Sequence, residues 1–223
     1  GNINGTKYFY DIPNRLIESN INADFAIFNF VKQNPNCKLI YASSSEVVAG
    51  SNDYPTGENT TVTVDNIHNP RWSYRLGKIV GENYLTNSDI DYLIVRFFNV
   101  YSEYSGEGHF IKDIAIKIRN KDFNLIGAKE TRSFCYVTDA ANAVISIKDV
   151  SKDIINVGSD EEISIVYAAT IIANKLGVVP KWNILPGLDG SVSRRKPDLT
   201  KLKKYLPNYS PKKFNEVIQC MNI

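Results

Sequence analysis

Two side chains in the stretch NPRWSYRLGKIVGEN, residues 69–83, could do chemistry together: Tyr74 and Lys78. On a helix, positions four apart share a face. A free phenol has a pKa of about 10 and is a poor base near neutrality. A neighbouring ammonium favours the phenolate and lowers that value. The pair could therefore take the proton from a hydroxyl during its oxidation, provided something else accepts the hydride. An ordinary surface helix with a fortuitous Y-x-x-x-K has the same spacing, so the companions of the pair must decide.

Composition sets the frame. The chain has 223 residues, 43% hydrophobic and 22% charged, with a formal net charge of +2. That is ordinary for a globular protein and gives no global attraction to nucleic acid or an anionic membrane. No apolar run approaches the ~18 residues that span a bilayer, and GNINGTKYFYD does not read as a signal peptide. Cys37, Cys135 and Cys220 are scattered and odd in number, which suggests neither a disulfide framework nor a metal pattern. With only His68 and His109 besides, no metal site is expected. A reducing cytoplasm is the simplest compartment.

The elements that must position the pair follow from periodicity. Residues 13–34 carry apolar side chains at helical spacing, and KLIYAS fits a buried parallel strand. Residues 46–70 are rich in Gly, Asn, Asp, Thr and Pro and read as a long loop. Residues 72–87 read as a helix, 91–101 as a second buried strand, and 109–120 as a helix. FNLIG, the start of FCYVTDAANAV, and DIINVGS supply further strands. ISIVYAATIIANKLG is a helix closed by Gly177, and two short helices finish the chain. This rhythm predicts an α/β, Rossmann-like parallel sheet. Residues 1–105 would form a partial dinucleotide-binding domain. Residues 106–223 would form a smaller, mixed C-terminal substrate lobe that returns a strand to the sheet. The strand, Gly-rich turn and helix that normally hold a dinucleotide pyrophosphate are missing, since no G-x-G-x-x-G occurs.

The motifs YASSSEVVAG, WSYRLGK, RFFNVY, RSFCYVTDAANAV and RRKPDL occur in this order. Together they resemble the extended short-chain dehydrogenase/reductase family, in particular its NAD-dependent nucleotide-sugar epimerases, dehydratases and decarboxylases. The similarity runs from about residue 13 to 215, and the chain looks like the part of the family pattern after the first four strands. The resemblance implies NAD or NADP as cofactor and a nucleotide-sugar as substrate. It gives Tyr74 the role of base and Lys78 a second role on the nicotinamide ribose, with Tyr74 and Ser43 also beside the cofactor. A serine after the strand would steady the reacting sugar oxygen. Counting back from Gly50 selects Ser45; alignment with decarboxylase-like SEV patterns selects Ser44 and makes Glu46 a second acid/base group. Asn99 would contact the substrate, and Asn20 would face the active site. Arg132 and Arg195 would grip the diphosphate, for which the planar guanidinium fork is suited.

The acidic pair of the family's dehydratases would fall on Glu46 and Val47 and is incomplete, which disfavours a dehydratase. An epimerase is the favoured reading. A UDP-glucuronate decarboxylase-like enzyme is the alternative, as is a non-catalytic relative that kept the sugar pocket and lost the cofactor loop. A reductase of an uncharged carbonyl compound would not need both arginines. A sheet beginning at KLIYAS would expose a strand edge and an apolar face that another part of a longer product, or another polypeptide, would cover. The family resemblance also implies a homodimer formed by a four-helix bundle of residues 13–33 and 72–87.

Overall fold

The structure, a computed structural model, describes residues 5–64, 66–106 and 108–223. In chain order the elements are α1 (Thr6–Asp11), α2 (Pro13–Gln33), β1 (Leu39–Ser44), a 3-10 turn (Ser45–Val48), α3 (Trp72–Thr86), β2 (Tyr92–Phe97) and β3 (Val100–Tyr101). Then come α4 (Phe110–Arg119), β4 (Asn124–Ile126), β5 (Thr131–Arg132), β6 (Cys135–Tyr136), α5 (Val137–Ser146), β7 (Asp153–Val157) and β8 (Ile163–Ser164). The chain finishes with α6 (Ile165–Lys175), β9 (Asn183–Leu185), β10 (Arg194–Arg195), α7 (Thr200–Tyr205) and α8 (Phe214–Cys220).

The central sheet is parallel, in the order β1-β2-β7. Strand side chains alternate between faces, and β2 uses both. Tyr92 and Ile94 pack with Phe28 of α2, Tyr41 of β1 and Leu85 of α3. Leu93 and Val95 pack on the opposite side with Ala140 and Ala143 of α5, Ile155 and Val157 of β7, and Leu202 of α7. A strand buried on both faces must be apolar throughout, which is why YLIV reads as a continuous run. β1 lies at the edge, pairing only with β2 among the described residues. Its Ile40 shares the Leu93 face by register yet stays 41% exposed.

A separate hydrophobic cluster is built from Ile111, Ile114 and Ile118 of α4, Ile172 of α6, and Phe214 and Ile218 of α8. Beside it, β5 lies between β10, parallel, and β8, antiparallel. Register sets Arg195 of β10 opposite Arg132 of β5.

Two expectations change. The strand expected over 91–101 is broken: Asn99 adopts φ 43, and β3 leaves the sheet to pair with β6. A left-handed residue cannot continue a strand, and hydrophobicity does not report backbone sign. Residues 6–11, for which no element was expected, form the short helix α1.

Candidate active site

Helix α3 positions the core of the site. Tyr74, Gly77, Lys78, Gly81 and Glu82 are all buried along it. Gly77 faces α2 with room to spare: a Cβ there would meet the Cβ of Asn20 at 3.4 Å, an ordinary contact. Asn20 is fully buried, and neither its Oδ1 nor its Nδ2 has a partner among the described residues.

Tyr74 is only 8% exposed because Phe9 of α1 stacks on its ring, with centroids 4.9 Å apart. Burial pushes the phenol up to about 12; a hydrogen bond with the Ser44 side chain pulls the other way, while the charges of Glu46 and Asp24 add to the rise. This reverses the expectation of a tyrosine made acidic by its lysine. Lys78 shares the helical face, but its Nζ is turned over the Tyr41 ring, 4.7 Å from the centroid. Burial lowers the ammonium's own pKa, and the carboxylates of Asp24 and Glu82 oppose that.

The three serines diverge. The Ser43 hydroxyl donates to Glu82 Oε1 at 2.5 Å. Glu82 in turn accepts from Arg96 Nε at 2.9 Å and Nη2 at 2.7 Å. The strand alternation points Ser43 and Tyr41 toward α2 and α3, where Glu82 takes the Ser43 hydroxyl. Ser44 caps the 3-10 turn, accepting from the Glu46 amide at 3.2 Å, and it is the serine that meets Tyr74. Ser45 is buried in the first position of the turn.

Glu46 sits between two guanidiniums. Arg71 donates from Nη2 at 2.6 Å and Nε at 3.3 Å, and Arg195 donates from Nη1 at 2.7 Å. All three side chains are buried. Burial alone would push the Glu46 carboxyl up, but the facing Arg195 and Arg71 hold it well below the usual carboxylate range. A carboxylate clamped in this way is a poor proton shuttle, so the acid/base role expected for Glu46 gives way to a structural and electrostatic one. Arg71, which the sequence reading did not single out, lies three residues before Tyr74 in the same motif. A lone cation in the apolar approach PRWSY was its available signal.

The two expected phosphate-gripping arginines differ. Arg132 is committed: it donates to Glu130 Oε2, Ser191 Oγ and the carbonyls of Thr131 and Val192. Burial and the nearby Arg195 push its guanidinium down to about 10. Arg195 uses only Nη1; its Nε and Nη2 are buried with no partner among the described residues. Asn99, strained by its positive φ, likewise holds a buried Oδ1 with no partner there.

Ser45, Glu46, Arg71 and Arg195 line a cavity of about 700 Å³. Asp189 closes one side, accepting from Asn69 Nδ2 at 2.7 Å on its side chain and from the Tyr10 hydroxyl at 2.8 Å on its carbonyl. Tyr74, Lys78, Ser44, Asn99 and Arg132 are not among its lining residues. Tyr74 lies behind Glu46, close enough to feel the charges of Glu46 and Arg195. The arrangement joins a buried hydroxyl pair, Tyr74 and Ser44, to a cavity carrying unsatisfied cationic donors.

A parallel α/β sheet with a Tyr-x-x-x-Lys helix and a strand-end serine defines a class of dinucleotide-dependent oxidoreductase-like folds. Comparison with known proteins narrows it. The model of the NAD dependent epimerase/dehydratase family matches residues 2–158, and the chain belongs to that family. It is 31% identical over 225 residues to UDP-N-acetyl-alpha-D-glucosaminuronate decarboxylase of Bacillus cytotoxicus, covering 92% of this chain and 70% of that one. It is 27% identical to UDP-glucuronic acid decarboxylase 1 of Xenopus tropicalis, covering 90% of this chain and 49% of the relative. Among solved structures, UDP-N-acetylglucosamine 4-epimerase of Methanobrevibacter ruminantium, in complex with UDP-N-acetylmuramic acid, superposes with a TM-score of 0.81 at 25% identity. That match covers 98% of this chain and 72% of the epimerase.

Proposed function

We propose that the protein modifies a nucleotide-sugar, as an epimerase in the first instance, by transient oxidation of a sugar hydroxyl. The observation that carries this is the Ser44 side chain beside the Tyr74 phenol, whose pKa it lowers, next to a cavity where Arg195 keeps two donors unused among the described residues. NAD fits the residues present. The buried amide of Asn20 against α3 marks polar capacity that the described residues do not satisfy, and Tyr74 and Lys78 would hold the nicotinamide ribose. Residues for the pyrophosphate end are not among those identified, since no G-x-G-x-x-G turn occurs in this sequence. When bound, NAD supplies the site with a hydride acceptor.

The chain's own residues do the rest. Ser44 orients the reacting oxygen toward the phenol. Tyr74 would take the hydroxyl proton and return it in the reverse step once an added positive charge in the occupied site offsets the burial that raises its pKa. Burial beneath Phe9 excludes water from the phenol, at the cost of raising its pKa. Arg195 donates to the diphosphate through Nε and Nη2, while Glu46 fixes its remaining nitrogen. Arg132, already satisfied, braces the strand that carries it beside Arg195. Asn99 offers its Oδ1 to the sugar.

A second reading, decarboxylation of a UDP-uronate, is favoured by Arg195 and Arg71 at the cavity wall, which suit a carboxylate, and by the decarboxylase relatives. The test is product analysis by NMR with the full-length protein, NAD, and UDP-N-acetylglucosamine or UDP-glucuronate. Epimer formation supports the first reading and carbon dioxide release the second; no conversion of any UDP-sugar rejects both. Free Cys37, Cys135 and Cys220 support a cytoplasmic setting. Exposed Ile27 and Phe30 on α2 with Val80 on α3 support dimerisation through these helices.

A further inference from the structure

The face of α3 that carries Tyr74 and Lys78 packs against side chains that hydroxyl oxidation does not itself require. Tyr41 of β1 places its ring under Lys78 Nζ and donates its hydroxyl to Asp24 Oδ2 of α2 at 2.6 Å. Tyr41, Asp24, Lys78 and Glu82 are all buried. Space for the Tyr41 hydroxyl exists because residue 81 is glycine: a Cβ there would overlap Oη and come within 2.6 Å of Cζ.

The charges of two carboxylates reach Lys78, and they are not equivalent. Glu82, on α3 itself, is taken by Arg96 of β2 through Nε and Nη2 and by the Ser43 hydroxyl. Its negative charge is largely spent on a guanidinium. Asp24 accepts from a neutral phenol, so its charge stays available to the ammonium. A buried lysine loses its proton readily unless an anion and a polarisable surface compensate for lost water. The Tyr41 ring supplies the surface, and its hydrogen bond to a carboxylate enriches the ring face on which the cation rests.

We propose that Asp24 and Tyr41 are positioning residues for Lys78: a hydrogen-bonded carboxylate–phenol pair that seats its ammonium one turn from Tyr74 and keeps it charged. The groups around the Lys78 ammonium are Glu82 from α3, Asp24 from α2 and Tyr41 from β1, with Tyr74 one turn away on α3. This inference rests on the proposed role of Lys78 beside Tyr74.

The test is a titration of the Lys78 side chain by NMR, with ¹³C,¹⁵N-lysine labelling and assignment through Lys78→Arg. Asp24→Asn keeps the shape and can still accept from Tyr41. Its Lys78 midpoint is expected about one pH unit below that of the wild type, the effect of removing one close opposite charge. Tyr41→Phe keeps the ring, removes the hydrogen bond, and serves if Asp24→Asn does not fold; it should shift the Lys78 ¹³Cε resonance at neutral pH. A Lys78 midpoint unchanged in Asp24→Asn, or a resonance unmoved in Tyr41→Phe, overturns the proposal. Turnover by Tyr74→Phe is measured separately. If that variant works normally the proposed function fails, while the Lys78 titrations still decide whether the seat exists.

Discussion

Replacing Gly81 by alanine tests the packing that supports the site through the sign of a single stability change. On an exposed helical surface, Gly→Ala stabilises by about 1 kcal/mol, because alanine restricts the unfolded chain and favours helix. At residue 81 the added methyl would overlap the Tyr41 hydroxyl and sit 2.6 Å from its Cζ. Tyr41 is locked between α2 and α3, so the ring must move and the hydroxyl must leave Asp24. Losing a buried hydrogen bond to a charged group costs about 1.5–3 kcal/mol. Forcing a methyl into a filled core costs about 1–3 kcal/mol. After the helix gain, the expected net loss centres on about 3 kcal/mol. Urea denaturation followed by circular dichroism reads this directly: with a slope of about 3 kcal/mol per molar, the midpoint falls by about 1 M. Gly77→Ala is the internal control on the same helical face. Its Cβ would meet Asn20 at 3.4 Å, an ordinary contact, so it should be neutral or gain up to about 1 kcal/mol. A Gly81→Ala protein as stable as the wild type would refute the packing of Tyr41 against α3 and, with it, the seat for Lys78.

The buried Arg71–Glu46–Arg195 cluster gives the next prediction: Glu46→Gln strands two guanidiniums beside a neutral amide and should cost about 3–5 kcal/mol at neutral pH. The folded carboxyl lies below its ordinary value near 4.5, so its contribution is fully present above that pH and is lost as pH falls toward the folded value. Denaturation between about pH 5 and 3 should therefore show a shallower decline for Glu46→Gln than for the wild type; parallel declines would contradict the ion cluster. Arg195→Met removes the unused donors and should weaken UDP binding by about 10–100-fold in calorimetry, whereas Arg132→Met, whose donors are already taken, should change it far less. Equal losses from both would place the diphosphate elsewhere.

Much of the sheet could be read in the sequence because burial on both faces leaves a plain signature. KLIYAS and DYLIV became β1 and β2, and the helix over 72–87 became α3 with Tyr74 and Lys78 on one face. What periodicity could not carry was backbone sign at Asn99 and the tertiary partners of polar groups. The i, i+4 spacing puts the lysine and the tyrosine on one buried face of the helix. It could not show that Tyr41, sixteen residues beyond Phe25 in the chain, would rise between the helices to receive the ammonium. Three adjacent serines look alike in sequence; alternation along β1 and the turn that follows send Ser43 to Glu82 and Ser44 to Tyr74. Alignment with decarboxylase-like SEV patterns makes Glu46 an acid/base group; its two arginines lie 25 and 149 residues away, which a local motif does not reveal.

The central claim is that the Tyr74 phenol moves the proton of a sugar hydroxyl. The most direct measurement compares wild-type full-length protein with Tyr74→Phe, scoring NAD-dependent conversion of a UDP-sugar by NMR and UDP affinity by calorimetry. The account predicts conversion by the wild type, none by Tyr74→Phe, and the same UDP affinity in both. Conversion at the wild-type rate without that phenol would contradict it.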